Sequence, residues 1–312
     1  MSHNPLFSII MANYNNGRYI GEAIDSVLDQ TYKNWELIIV DDCSTDNSLD
    51  VVGKYAKSDN RIKIVKSSIN GGEGYAKRLG AEESSGELLA YFDSDDRLRP
   101  NALQVMVTAH IDHPEWVLAG SKYIELRNKN DLTIYQSPVG PQPDDPDDYL
   151  LSHPNKIVAF TVYKKDAYDK TSGFDSGLRS VADKDIYLKL EEVGGEHCIG
   201  FVDEILYEYR QDNLNSLSLG TKEKVLKCQD DRAIVYLRAY ERRYKAASAR
   251  YKKYEKQYAD KMYEELCQIG LSKRRNLMEA DVWHYTLLYL KMNKYSTKSI
   301  KRAIKLALWK YK

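Results

Sequence analysis

Asp93, Asp95 and Asp96 fall within four positions of one another, directly after the apolar run Leu88-Leu89-Ala90-Tyr91-Phe92 and just before Arg97 and Arg99-Pro100. A short apolar run with such borders predicts a buried strand whose C-terminal end is abruptly acidic. In open α/β sheets that end of a strand is where ligands bind. Carboxylates this close repel one another unless a cation lies between them, so a divalent metal is a natural occupant. An acidic turn with no ligand is the plainer alternative. A second acidic pair, Asp183 and Asp185, opens a stretch in which Ile186, Leu188 and Leu190 interleave with polar residues. A carboxylate there could take a proton from a substrate, or could simply oppose a helix macrodipole.

The elements that must position these acids can be read from Leu6 onward. Leu6 to Ala12 predicts a first buried strand, ending in the loop composition Asn13-Tyr14-Asn15-Asn16-Gly17. From Tyr19 to Gln30 the apolar residues recur at helical spacing. Trp35 to Val40 predicts a second strand, which also ends on acid at Asp41-Asp42; Ser44 or Asp46 can cap the helix after it. A short strand over Arg61 to Val65 follows, then Asn70-Gly71-Gly72 and a helix carrying Lys77 and Arg78. This alternation predicts a doubly wound, mostly parallel α/β sheet. Its strand ends bring Tyr14, Asp42 and the Asp93 to Asp96 cluster to one crevice.

The ordered strings SIIMANYN, WELIIVDDCSTDNS and NGGEGYAKRLGAEESSGELLAYFDSDD resemble the nucleotide-binding half of a family 2 glycosyltransferase, an inverting enzyme of the GT-A fold with a DxD motif. The likeness runs through about the first hundred residues and more loosely to about Ser218. It implies that Tyr14 stacks on the nucleotide base with Ala12 beside it. It implies that Asp42, rather than Asp41, accepts the base imide N–H, which favours uracil; a carboxylate only accepts hydrogen bonds. Lys77 falls where the family usually has an arginine facing the donor, and Arg78 where it has an asparagine; Lys lacks the bidentate fork of Arg. Asp93 matches the first acid of DxD, near the ribose, with Ser94 in the same donor-binding set. Asp95 matches the ligand for Mn²⁺ or Mg²⁺, with Asp96 in support. Ser172-Gly173-Phe174-Asp175 resembles the turn before the catalytic acid, and Asp183 falls on the general base. Ala182 replaces the usual Glu before it, and Asp185 is the secondary candidate. Arg210 ends the likeness, either helping to neutralise the leaving diphosphate or pairing with a surface acid.

The resemblance thus implies a metal-dependent transfer from a nucleotide diphosphate sugar, UDP-linked, to a glycan or lipid-linked acceptor. Two other classes fit parts of the sequence: a nucleotide-binding protein of this fold without turnover, and a phosphatase with an acidic strand end. The four cysteines form no CxxC pair, which speaks against structural zinc and for a reducing compartment. With no signal-like start and no long apolar run, the expected location is cytoplasmic, peripheral to the inner face of the cell membrane if the tail binds lipid.

Composition divides the chain near Gly220. From Thr221 onward 24 basic residues stand against 10 acidic ones, although the whole chain balances at 46 of each. The expected organisation is a GT-A catalytic domain over 1–220, made of a donor half (1–100) and an acceptor half (101–220), with a helical extension over 221–312. Within the first part the proline-dense stretch Ser137 to Asp148 predicts a loop, and Trp116 to Ala119 and Lys156 to Tyr163 predict strands. In the tail, Ala233, Leu237, Tyr240, Tyr244, Ala247, Tyr251, Tyr254 and Tyr258 form a heptad seam. That seam has three candidate partners: the catalytic domain, a second subunit or other tail helices. From Ser296 on, Ile300, Ile304, Ala307, Leu308 and Tyr311 share a helical face bordered by lysines, with Trp309 nearby. Such a helix suits either an anionic membrane surface or packing on protein. Nucleic acid finds no recognised motif.

Overall fold

Period-two alternation in the first strand decides how the sheet is covered. In the computed structural model, which describes residues 4–128, 131–133, 160–211, 213, 222–271 and 279–309, strand β1 is Phe7–Asn13. Phe7, Ile9 and Met11 point to one face, where helix α1 (Ile20–Leu28) brings Ile20, Ile24 and Val27. Strand β2 (Trp35–Asp41) pairs parallel with β1 and adds Trp35, Leu37 and Ile39 to the same core. Helices α2 (Ser48–Ser58) and α4 (Ala102–Asp112) close that face with Val52, Leu103 and Met106. Each of these aliphatic side chains stabilises the fold by roughly 1.5–3 kcal/mol when fully buried.

The opposite face carries the chemistry. Helix α3 (Glu73–Glu82) lies there against Ile38 and Val40 through Ala76. Its Gly80 allows the approach, because a Cβ at that position would come 2.3 Å from Cγ2 of Ile10. Beneath it Ser8 and Glu36, cross-strand partners, satisfy each other at 2.7 Å, and Glu36 also accepts from Lys63 and the Ser85 N–H.

Strands β3 (Ile62–Lys66) and β4 (Leu88–Tyr91) complete a parallel half in the order β3-β2-β1-β4. Beyond β4 come β8 (Val162–Lys164), β6 (Leu118–Asn128), β9 (Ile199–Arg210) and the two-residue β5 (Arg97–Leu98), with β7 (Asp131–Thr133) paired to β6. This half is mixed: β8 runs antiparallel to both β4 and β6, and β9 parallel to β6. The short α5 (Lys165–Tyr168) and then α6 (Ala182–Gly194) precede β9. The expected proline-rich loop at 137–148, strand residues 156–159 and the boundary at Gly220 lie outside the described residues.

By its contacts the chain divides into two compact units, Met1–Leu219 and Gly220–Lys312. The second consists of helices α7 (Lys222–Ala246), α8 (Ala249–Lys252), α9 (Glu255–Leu271), α10 (Glu279–Met292) and α11 (Thr297–Trp309). The heptad seam does not lie on one helix. Ala247 takes a left-handed φ of 48°, so the chain turns between α7 and α8. The tyrosines then close on one another: Tyr258 on α9 has its ring 5.7 Å from that of Tyr240 on α7, with Tyr251 and Tyr254 beside it. Arg243, fully buried, sits over the Tyr251 ring. The seam residues Tyr240, Tyr251 and Tyr258 therefore pack inside this unit, against other tail helices, one of the three partners expected for the seam. Among the described residues no helix is long and apolar enough to cross a membrane.

Candidate active site

The C-terminal ends of β1, β2 and β4 form the floor of the site, and neighbouring polar side chains set their shape. Asn13 donates to Asp41 at 2.9 Å and to Ser44 at 3.1 Å, and Asp41 also accepts the Ser44 N–H. Asp41 is thereby used in folding the loop. Asp42, one residue on, points to the entrance of α3, where its two oxygens accept the Gly71 and Gly72 N–H groups at 2.8 Å each. Each oxygen retains a second lone pair for another donor. Tyr14 lies beside these groups in sequence and is 48% exposed, and Ala12 is half-buried on β1. Asn15, in the left-handed region at φ 54°, ties this loop to the next by accepting the Thr45 N–H.

The acidic turn after β4 separates its carboxylates into different settings. Asp96 is buried and accepts from the Tyr207 hydroxyl at 2.5 Å and the Arg210 N–H at 2.7 Å, so it clasps β9 to the turn. Asp95 accepts from Asn213 at 2.6 Å, and burial, followed by the nearby Asp93 charge, pushes its carboxyl up to about 6. Ser94, also buried, accepts from Asn16, which in turn accepts from Asn213. Arg210 donates to the Asp95 carbonyl at 2.6 Å and pairs with Glu22 at 2.9 Å over the Tyr19 ring. It holds the turn from behind.

Around Lys77 the structure brings together residues far apart in the chain. Lys77 is buried, pairs with Glu73 at 2.5 Å and caps the Tyr91 ring at 3.7 Å. The Tyr91 hydroxyl meets that of Tyr187 on α6. Asp183 lies one helical turn before Tyr187. Burial raises the Glu73 carboxyl; Lys77 opposes it, Asp183 and Asp93 reinforce it, and the result is about 6. Burial alone would lower the Lys77 ammonium, but Glu73, Asp93 and Asp183 together keep it above its ordinary value. Asp93 and Asp183, ninety residues apart, thus act on the same buried cation. Asp185 faces inward and pairs with Lys189 at 2.5 Å, and Lys189 also donates to the Gly173 carbonyl.

The chain spends strain to start α6 where it does. Val181, at the N-cap, adopts φ 53°, a left-handed conformation that costs a β-branched residue about 1–3 kcal/mol. The preceding segment is pinned to α3: Gly74 N–H donates to the Leu178 carbonyl at 3.0 Å, and Arg78 reaches the Phe174 carbonyl. A Cβ on Gly74 would lie 2.2 Å from the Asp175 carbonyl oxygen. Gly74→Ala is therefore expected to lower unfolding stability by about 1–3 kcal/mol through overpacking. It should also cut turnover more than a similarly destabilising core change does, because it parts α3 from the approach to Asp183. Urea melts alongside initial rates check both.

Sequence reasoning missed Glu73, Tyr91, Tyr187 and Asn213. Glu73 and Tyr187 carried a readable signal, since Glu73–Lys77 and Asp183–Tyr187 are both spaced i,i+4 on helices, whereas Tyr91 was legible only as part of an apolar run. Asn213 carried none.

Could the site hold a divalent cation? Among the described residues no group of three or more His, Cys, Asp or Glu is placed to hold one. Asp96 has both oxygens committed. Asp95, with Asp93 near, would supply the one or two carboxylates that Mg²⁺ or Mn²⁺ takes when substrate phosphates and water complete the shell. The mutual repulsion of Asp93 and Asp95 is the kind a cation relieves. The residues fit.

The family model described as Glycosyl transferase family 2 matches residues 8–172. TuaG of Bacillus subtilis (strain 168), provisionally named a teichuronic acid biosynthesis glycosyltransferase, is 42% identical over 100 residues, 32% of this chain and 40% of that protein. The chain thus spans about two fifths of that relative's length. WcaA of Escherichia coli (strain K12), provisionally named for colanic acid biosynthesis, is 32% identical over 206 residues, 63% of this chain and 70% of that protein. Among solved structures, S. aureus TarS 1–349 in complex with UDP-GlcNAc has a TM-score of 0.69 at 20% identity, covering 96% of this chain and 88% of that one. That likeness establishes a shared fold.

Proposed function

The chain belongs to glycosyl transferase family 2, and on that premise we propose that it moves a sugar from a UDP-linked donor to an acceptor hydroxyl with inversion, residues 1–220 forming the catalytic part. The observation that carries this reading is the meeting of α3, β4 and α6: Lys77 caps the Tyr91 ring, and the Tyr91 hydroxyl meets that of Tyr187, one helical turn after Asp183. That contact supports a donor-side acid, Asp93, and a helix-start acid, Asp183, serving one site.

In this reading Tyr14 covers the face of the uracil, and Asp42, held by Gly71 and Gly72, accepts its imide N–H. Asp93 faces the ribose. Asp95 would hold Mn²⁺ or Mg²⁺, which when bound neutralises charge on the diphosphate as a Lewis acid and template. Asp183 takes the proton from the acceptor hydroxyl as its oxygen bonds to the anomeric carbon and the bond to UDP breaks. Ala182, in place of the usual Glu, leaves Asp183 without an adjacent carboxylate. Lys77 keeps Glu73 and Tyr91 fixed beneath these acids and supports the site through them. UDP-GlcNAc in TarS supports a UDP donor, and the GDP-Man and Mn²⁺ held by a mannosyltransferase of Pyrobaculum calidifontis, of the same fold at TM-score 0.55, support a metal. The names of TuaG and WcaA support a growing polysaccharide, free or lipid-linked, as acceptor.

A panel of UDP-sugars incubated with Mn²⁺, with free UDP as the readout, tests the donor class. Slow release of UDP from one or two members is expected. Release from GDP-sugars alone would reject Asp42 as a reader of uracil.

A further inference from the structure

Helix α11 is the most sharply amphipathic element of the C-terminal unit, yet the two isoleucines described on its apolar stripe are not buried. Among the described side chains, Ser299 and Ala303 are buried and Leu306 is half-buried, and Arg302 anchors the helix by donating to Asp260 of α9 at 2.7 Å and lying over the Tyr263 ring. Ile300 and Ile304, one turn apart, remain 42% and 54% exposed. Lys298, Lys301 and Lys305 are exposed alongside them. Helix α10, which packs against α11, repeats the arrangement. Tyr285, Tyr289 and Met292 are buried, while Trp283 and Leu287, again one turn apart, are exposed. No Asp or Glu follows Asp281, whereas eight Lys and Arg lie between Lys291 and Lys312.

We propose that the exposed stripe Ile300–Ile304 of α11, with its flanking lysines, docks on an anionic lipid bilayer. Scattered apolar surface residues need no explanation; a stripe of two isoleucines bordered by lysines on an amphipathic helix does. The charge selects the occupant. A second copy of the same face would set Lys298, Lys301 and Lys305 against their counterparts, and like charges oppose that pairing. A nucleic acid would answer the lysines and leave the isoleucines and Trp283 wet. An anionic bilayer surface answers both, taking the apolar side chains below the headgroups and the ammonium groups at the phosphate level. The inference stands on this unit alone and does not depend on the donor or the base proposed above.

Flotation of the full chain with vesicles of phosphatidylcholine, with and without phosphatidylglycerol, provides the test. Binding is expected only with phosphatidylglycerol and should be lost at high salt. Ile300→Gln with Ile304→Gln, and separately Lys298→Gln with Lys301→Gln and Lys305→Gln, should each weaken partitioning by about tenfold or more. Both variants should melt at the wild-type temperature, because the altered side chains are exposed. Equal flotation on neutral vesicles, or wild-type flotation by either variant, overturns the proposal. So does a dimer in sedimentation equilibrium that the isoleucine variant dissolves, or retention of single-stranded RNA that depends on the lysines alone without flotation.

Discussion

Asp183→Asn is expected to lower kcat by about 10²–10⁴-fold, the range a positioned general base contributes, while UDP binding in Mn²⁺ is unchanged. Asn keeps the size and hydrogen-bonding shape of the side chain and loses the ability to take a proton. KM for the donor should hold, so that kcat and kcat/KM fall together, as they do when an interaction made only in the transition state is removed. Asp185→Asn makes the contrast. It breaks the buried pair with Lys189, so it should destabilise the fold by about 3–5 kcal/mol and leave the kcat of the folded fraction near wild type. Steady-state rates and urea melts on both variants separate proton transfer from packing. If Asp185→Asn abolished turnover in folded protein and Asp183→Asn did not, the base would have to be reassigned.

The second large effect belongs to Asp95. Asp95→Asn should remove the metal dependence of turnover and cost about 10²–10³-fold in kcat/KM, since a cation at a leaving diphosphate contributes several kcal/mol. With Mn²⁺ below saturation the wild type should also lose Mn²⁺-dependent turnover as pH falls below about 6, because protons then compete with the cation for Asp95, and more Mn²⁺ should move that loss to lower pH. Stability runs the other way. A carboxyl whose folded pKa lies above its unfolded value near 4 holds its proton more tightly when folded. Its contribution is therefore greatest at low pH and is lost as pH rises from about 4 through about 6. Saturating Mn²⁺ and UDP should offset that loss at neutral pH. Rates and melting temperatures across pH 5–8, with and without Mn²⁺ and UDP, check both signs.

Why some of this could be read from the chain and some could not is a matter of range. The parallel half of the sheet was legible because β1, β2 and β4 are apolar runs ending on or just before Asn or Asp, a local pattern. Position 93 to 96 was legible as acidic, but the separation into Asp95 on Asn213 and Asp96 against Tyr207 and Arg210 depends on residues more than a hundred positions later. Asp183 stood out only through the family likeness; nothing local distinguishes it from Asp185, and burial beside Lys189 is what sets Asp185 apart. Glu73 and Lys77 looked like an ordinary helical ion pair, and the burial of Lys77 against the Tyr91 ring is a tertiary fact. In the tail the heptad spacing was real but its meaning was not local. The turn at Ala247 falls at an alanine, which carries no helix-stop signal, and it converts a long seam into a closed tyrosine cluster. The last helix was amphipathic as expected, yet Ile300 and Ile304 on its apolar face are exposed.

The central claim is a UDP-dependent, metal-assisted transferase site at the ends of β1, β2 and β4. Calorimetric titration of UDP into the wild-type protein, with Mn²⁺ and after chelation, tests it most directly. Binding with Mn²⁺ that weakens at least tenfold after chelation or in Asp95→Asn, and that GDP does not reproduce, is the result expected. UDP binding of equal strength with and without metal, or no binding of UDP at all, would contradict it.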